Sequence, residues 1–339
     1  MKKMKLFGMM CMASVLVMGF SSCKKDKTET TSSFEFNLPD IEGTSPFDDG
    51  KAYVDMVAGK LKWYENDKVM VYSLDEDIAN SKAEIYSGEA NMSGQTVTHF
   101  TGTPLQAGSI GYFAFYPAEK ANKNITENNR ASFNVGADQA NSVDLFAGTN
   151  YAGRIFMDPK GVVCATTCDA NVNGTMKHIF GFANVRLKDS GNSGKKVTSV
   201  SITDPNMHLT GSISVEIPGL TNEVLTGMKS LGQNYKNGSV DAAYYASTLR
   251  GYLDQIGYMS TPDGNTVTLD CGSSVVINNA YKFFLIPIRP GALKDGFTVT
   301  VNYEGGASEP ISVPADKKYI VIPGTYTNIS IDLANNQVL

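Results

Sequence analysis

Alternation with a period of two is the feature that most limits what this chain can become. It recurs in Lys68-Val69-Met70-Val71-Tyr72, in Val197-Thr198-Ser199-Val200-Ser201-Ile202 and in Gly211-Ser212-Ile213-Ser214-Val215. Phe297-Thr298-Val299-Thr300-Val301 and Asn328-Ile329-Ser330-Ile331-Asp332-Leu333 repeat it. Successive side chains of a strand point to opposite faces. β-Branched residues alternating with polar ones therefore put one face on a core and the other toward water. Two runs are apolar on both faces, Gly111-Tyr112-Phe113-Ala114-Phe115-Tyr116 and Phe283-Phe284-Leu285-Ile286. They are expected at the centres of sheets. Gly, Asn, Asp and Pro clusters separate the strands throughout. The pattern predicts an all-β chain of antiparallel sandwiches and not a βαβ series.

An insertion of about 220–260 interrupts the strands. Within residues 239–256, Tyr245, Leu249, Tyr252, Leu253 and Ile256 fall at helical spacing. Ser239 or Asp241 suits the N-cap and Gly257 suits the end. The spacing predicts a single helix that packs on a sheet or, less in keeping with its pattern, contributes to an interface. There is no exact repeat, but two halves share one grammar. The first β-sandwich is expected over 34–176 and the second, with the insertion, over 177–339.

The N-terminus predicts where the chain lives. Lys2, Lys3 and Lys5 precede an apolar run from Leu6 to Phe20, then Ser21-Ser22-Cys23 and Lys24-Lys25-Asp26-Lys27. This is the layout of a secretory signal over residues 1–22. The apolar run is shorter than the roughly 20 residues of a spanning helix. The cleavage region resembles a bacterial lipobox, with Cys23 as the lipidated residue. Residues 23–33 then read as a lipidated, flexible tether, and the remainder as a body held at a membrane surface.

Chemistry is sparse. A net charge of −5 without a basic stripe argues against nucleic acid. Beyond Cys11 and Cys23, only Cys164, Cys168 and Cys271 remain. Three is an odd number, so no complete disulfide framework exists. Cys164 and Cys168 either pair through a turn or stay free with Cys271. His99, His178 and His208 are widely separated and lie in no nucleophile or metal motif. Asp169-Ala170-Asn171-Val172-Asn173-Gly174 matches half of a calcium loop, but Phe180 stands where a bidentate Glu is required. Gly191-Asn192-Ser193-Gly194-Lys195-Lys196 looks faintly like a phosphate loop and reads better as a hairpin loop. Trp63 is the single tryptophan, which counts against a carbohydrate platform. The reading is of a non-enzyme without metal or cofactor.

Several segments resemble the fimbrillins of Bacteroidetes, the type V pilins. Leu61-Lys62-Trp63-Tyr64-Glu65-Asn66-Asp67-Lys68-Val69-Met70-Val71-Tyr72 is similar to the family's W-x-x-x-D strand entry. His99-Phe100-Thr101-Gly102 resembles its F-x-G turn. Gly111-Tyr112-Phe113-Ala114-Phe115-Tyr116-Pro117 resembles its Y-x-A-x-Y-P strand, and Asp138-Gln139 stands where a Gln is usual. The segment from His178 to Leu187, then Lys282-Phe283-Phe284-Leu285-Ile286-Pro287 and Pro323-Gly324-Thr325-Tyr326, continue the series.

The resemblance implies two tandem transthyretin-like sandwiches and a fimbrial subunit carried to the outer membrane as a lipoprotein. A protease then removes the N-terminal segment with its first strand, and a C-terminal strand of a neighbouring subunit fills the groove. The implied partners are other fimbrial subunits, a membrane through the lipid, and a host or glycan ligand. The best-known members are cut after an arginine, but this chain has none before Arg130. Lys51 and then Lys60 are the candidate maturation sites. The candidate donor is residues 325–339, with Thr327, Ile329, Ile331 and Leu333 on one face and Asn328, Ser330 and Asp332 on the other. At about 3.3 Å per residue it would span roughly 50 Å. The alternative placement is the last strand of its own second sandwich, and both hold if they belong to different stages. A surface glycan-binding lipoprotein is the second functional reading, and a secreted β-sandwich hydrolase the third.

Overall fold

The computed structural model describes residues 30–37, 63, 67–92, 95, 97–109, 111–121, 130–135, 138–140, 143–144, 155–157, 164–168, 173–216, 222–255 and 259–339. In the first half, the strands begin with β1 (Thr30–Asn37), β2 (Lys68–Leu74), β3 (Lys82–Gly88), β4 (Val97–Gln106), β5 (Gly111–Tyr116) and β6 (Arg130–Val135). They continue with β7 (Asp138–Ala140), β8 (Val143–Asp144), β9 (Ile155–Met157), β10 (Cys164–Cys168), β11 (Asn173–Thr175) and β12 (Lys177–His178). The second half opens with β13 (Gly181–Lys188), β14 (Lys196–Thr203), β15 (Gly211–Glu216), β16 (Met259–Pro262) and β17 (Thr266–Val276). It closes with β18 (Lys282–Ile288), β19 (Phe297–Tyr303), β20 (Ser308–Val313), β21 (Tyr326–Asp332) and β22 (Gln337–Val338). Helices α1 (Asn222–Lys236) and α2 (Ala242–Gln255) lie between β15 and β16. The described residues are mostly sheet, as the alternation predicts.

The strands form an eight-stranded sheet, β11-β1-β4-β3-β2-β5-β10-β12, and a six-stranded one, β22-β21-β13-β18-β9-β8. A five-stranded sheet, β20-β19-β14-β17-β7, and a small one, β16-β15-β6, complete the set among the described residues. The two runs that are apolar on both faces do sit inside sheets, β5 between β2 and β10, and β18 between β13 and β9. Most pairs are antiparallel, while β1–β11, β13–β21, β17–β7 and β18–β9 are parallel.

The expected boundary at 176/177 is not a boundary of strand pairing. β7 and β9 come from the first half, yet they extend the second half's sheets beside β17 and β18. β6 likewise pairs with β15. Gln139 fastens this exchange from a buried position, donating through Nε2 to Pro287 O at 3.2 Å. Alternation shows that a segment is a strand and which face is apolar. It does not name the partner strand.

The six- and five-stranded sheets face each other. Val185, Leu187, Ile286, Ile329 and Ile331 meet Val200, Ile202, Leu269, Val299 and Val301 in one core. The reverse side of the six-stranded sheet supplies Phe182, Phe283, Leu285 and Tyr326 to the aromatic core of the first sheet. In β2, Val69 and Val71 join that aromatic core, while Met70, Tyr72 and Leu74 pack with the helices. The alternation over Lys68–Tyr72 is thus covered on both faces, because its second set of side chains is also apolar.

The insertion contains two helices where the spacing predicts one. α2 is the expected helix. Asp241 caps it, its Oδ1 accepting from Tyr244 N at 2.8 Å, and Tyr245 and Leu249 are buried. Ile256 and Gly257 fall outside the described residues. α1 buries Val224, Met228, Leu231 and Tyr235 beside it. Gly227 and Gly232 lie inside α1, and each lowers intrinsic helix stability by roughly 1 kcal/mol relative to Ala. A Cβ at Gly227 would come within 2.5 Å of the Tyr252 ring, and one at Gly232 within 2.6 Å of Ile322. These glycines permit close packing, and that requirement hides the helix from a propensity argument. Among the described residues, no helix is long and apolar enough to cross a membrane.

Candidate functional site

The most distinctive site is the slot occupied by β1. This strand runs antiparallel to β4 and is flanked on its other edge by the short β11. Phe34 and Phe36 point into the core, and the residues between and around them do not reach full burial. The Phe34 ring meets Tyr86 and Tyr112 edge-on, with centroids 5.0 and 4.9 Å away. Phe36 packs 5.7 Å from Phe100. Trp63 stands edge-on to Phe100 at 4.8 Å and to Tyr116 at 5.1 Å, and its Nε1–H donates to Phe36 O at 3.2 Å. The Tyr86 hydroxyl lies 3.0 Å from Thr31 O and 2.6 Å from Thr103 O, so one proton is shared between two carbonyls. On the outer side, His99 Nε2 sits 3.4 Å from Glu35 Oε2, where water screens the pair.

What the slot can do follows from what β1 covers. Without β1, the edge of β4 would present open backbone groups, and Trp63 would lose its acceptor in a buried place. Leaving such a donor unpaired costs about 1–3 kcal/mol. The vacancy would also expose the aromatic wall of Tyr86, Phe100 and Tyr112. Another strand could satisfy all three needs.

The candidate donor residues occupy a different environment. Thr327, Ile329, Ile331 and Leu333 are buried, and the three aliphatic residues lie in the core between the six- and five-stranded sheets. Thr327 Oγ1 donates to Ile320 O at 2.6 Å. β21 is parallel to β13 on one side and carries β22 on the other. Its reverse face is also engaged, with Asn184 Nδ2 donating to Asn328 Oδ1 at 2.8 Å and Tyr326 lying 6.0 Å from Phe182. Of the two placements left open by the sequence, this structure contains the intradomain one.

A polar cluster secures the end of β21. Asp332 Oδ1 accepts from Ser190 N at 3.0 Å and from Ala334 N at 3.1 Å. Burial alone would raise the Asp332 pKa, but these hydrogen bonds outweigh it and hold the carboxyl below its usual value. Lys195 Nζ donates to Leu333 O at 2.7 Å and to Glu309 Oε2 at 3.3 Å. Tyr303 OH donates to the same Glu309 oxygen at 2.5 Å. Asp189 shapes the adjoining turn by accepting from Gly191 N, Ser193 N and Ser193 Oγ. The Ser193 hydroxyl is the main cause of its lowered pKa.

The remaining candidates are scattered. Cys23, Lys51 and Lys60 fall outside the described residues. Cys164 and Cys168 are the two ends of one extended strand, β10. Four residues of strand separate their Cα atoms by about 13 Å, whereas a disulfide needs less than about 7 Å. No turn joins them, so pairing through one is corrected. Cys271 is buried and in no disulfide, and burial, aided by Asp270, pushes its pKa up to about 12. His178 is buried edge-on to Phe182 at 5.2 Å. Among the described residues, no cluster of His, Cys, Asp and Glu could hold a metal. Residues 169–172 of the half calcium loop are outside the described set, and the next three form β11. The 191–196 loop is not a hairpin loop. It carries the chain from β13 in the six-stranded sheet to β14 in the five-stranded sheet. Sequence motifs do flag Trp63, Phe100 and Tyr112, but not their convergence on Phe34 and Phe36. The Phe-Glu-Phe spacing was the available signal.

No protein-family model and no curated protein matches the chain. Similar solved structures include a provisionally assigned cell adhesion protein from Bacteroides uniformis ATCC 8492. It is 13% identical over 89% of this chain and 94% of that one, with a TM-score of 0.42. A second provisionally assigned cell adhesion protein, from Bacteroides ovatus ATCC 8483, is 10% identical over 92% and 95%, with a TM-score of 0.47. The C-terminally truncated tip fimbrial protein Mfa3 from Porphyromonas gingivalis is 9% identical over 90% and 95%, with a TM-score of 0.34. These neighbours are cell adhesion and fimbrial proteins of Bacteroidetes, the group whose fimbrillins the sequence resembles, at TM-scores below what carries a fold or a role from one chain to another.

Proposed function

We propose that this chain is a structural and adhesive subunit of a cell-surface fimbria, exported as a lipoprotein through Cys23 and assembled by strand donation. One observation carries the reading. Phe34 and Phe36 lodge β1 in a slot of the first sheet, and the chain runs from β1 to the other described strands through residues 38–62. Lys51 and Lys60 both lie in that interval. A cut after either severs β1 and leaves every other described strand on one piece. The slot then has open backbone groups and an apolar wall, the two features that β-augmentation requires.

In this reading the partners are other fimbrial subunits, the outer membrane through the lipid before the cut, and a host or glycan ligand at the cell surface. Residues 325–339 remain the candidate donor to a neighbour, and they would first have to leave their own sandwich. The glycan-binding alternative is not favoured, because Trp63 is buried in the slot and offers no exposed face.

The test is mass spectrometry of the chain recovered from the bacterial envelope. Polymer-borne chains beginning at residue 52 or 61, with acylated Cys23 on a separate fragment, are expected. A chain recovered only as an uncut monomer, never in detergent-resistant polymers, would overturn the reading.

A further inference from the structure

Resting on the strand-exchange reading, we infer that the β1 slot selects its occupant by two aromatic side chains at alternate positions. It therefore takes a strand from a different subunit and not the C-terminal strand of a second copy of this chain. The slot's walls are themselves rings. Phe34 sits between Tyr86 and Tyr112, and Phe36 against Phe100, all of them buried. Edge-on and tilted ring pairs contribute beyond the area they bury, and an aliphatic side chain cannot reproduce them. The Trp63 Nε1–H reads a backbone carbonyl, that of Phe36. It fixes where an occupant stops without asking which residue it carries. Identity is left to the two ring positions.

The C-terminal strand does not meet that specification on either face. One face offers Thr327, Ile329, Ile331 and Leu333, with no ring. In any register that keeps this face inward, an aliphatic or hydroxyl side chain falls where each phenyl ring stands. The other face offers Tyr326 followed by Asn328, Ser330 and Asp332, which would put an amide or a carboxylate into an apolar wall. β21 is also engaged on both of its own faces at home.

The experiment uses the full chain with a sequence-specific protease site placed within residues 38–62. The protein is folded, then cut, and challenged with three peptides. The first has the sequence of residues 30–37, the second carries Phe34→Ile and Phe36→Ile in it, and the third has the sequence of residues 326–334. Entry is read from the emission of Trp63, the single tryptophan, and from the peptide mass retained by the protein. The 30–37 peptide is expected to replace the cut strand. Losing both rings is expected to weaken entry by about 100-fold, since transfer, cavity and ring-pair contributions are lost together. The 326–334 peptide is expected to fall in the same weak range. Equal entry by the double-Ile or 326–334 peptide would overturn the aromatic selectivity while leaving strand exchange intact. If no peptide enters, not even 30–37, and the cut strand stays in place, strand exchange fails and this inference fails with it.

Discussion

The first and last long strands of the described chain, β1 and β21, have similar lengths and similar alternation, yet they are held in opposite ways. β1 buries one set of side chains, the two phenyl rings, and leaves Glu35 beside His99 at the surface. β21 is engaged on both faces, one fully buried and the other partly so. Ile329 and Ile331 enter the sandwich core, Asn328 pairs with Asn184, and Asp332 and Lys195 fasten the far end. A strand held on one face, at the end of a single connection, can leave with only its own slot opened. A strand held on both faces takes the core of its sandwich with it. The contrast favours the first sheet as the place where strands are exchanged.

Substitutions can break this comparison. The largest effect is expected for Ile331→Asp, which puts an unpaired charge in the core and should destabilise the second half by more than about 4 kcal/mol. Loss of the β13–β21 region in a denaturation or proteolysis assay, with the first sheet still folded, would fit. A stable, soluble Ile331→Asp chain would mean that β21 is loosely held. Phe34→Ala should cost about 3–5 kcal/mol, as for other large-to-small aromatic changes in cores. That loss should appear as early release of β1, read from Trp63 fluorescence, and not as melting of the second half. Asn328→Ala should cost about 1–3 kcal/mol by orphaning the Asn184 amide, and double substitution to Ala should recover part of that loss.

The smallest effect is one of pH. Asp332 and Asp189 are held below the usual carboxylate range, so their folded pKa values lie below their unfolded ones. Their contribution is fully present above the ordinary Asp value of about 3.9 and is lost as pH falls through the lower folded values. The denaturant midpoint of the second half should therefore hold from pH 7 to 5 and fall below about pH 4. Asp332→Asn should flatten that fall, and an identical slope in the two chains would contradict the role of the cluster.

Much of the fold is legible in the sequence because alternation and two-sided apolar runs are local. β5 and β18 are interior strands for the reason their residues suggest, and Asp241 caps α2 as the helix signal indicates. What is not legible depends on distant partners. No local pattern shows that β7 and β9 extend sheets of the second half, or that Met70 and Tyr72 find helices to cover them. α1 is masked by Gly227 and Gly232, whose lack of a side chain serves Tyr252 and Ile322 and not the helix itself. The candidate slot was half visible. Trp63, Phe100 and Tyr112 stand out as motif residues, but the strand that fills the space between them is paired across a long stretch of chain.

Hydrogen exchange read by mass spectrometry, before and after a cut within residues 38–62, tests the contrast between the two strands most directly. After the cut, the amides of residues 30–37 and of their partner β4 should lose protection, while those of β13 and β21 keep theirs. Protection lost from β21 together with or ahead of β1 would contradict the account, because the last strand would then be the looser of the two.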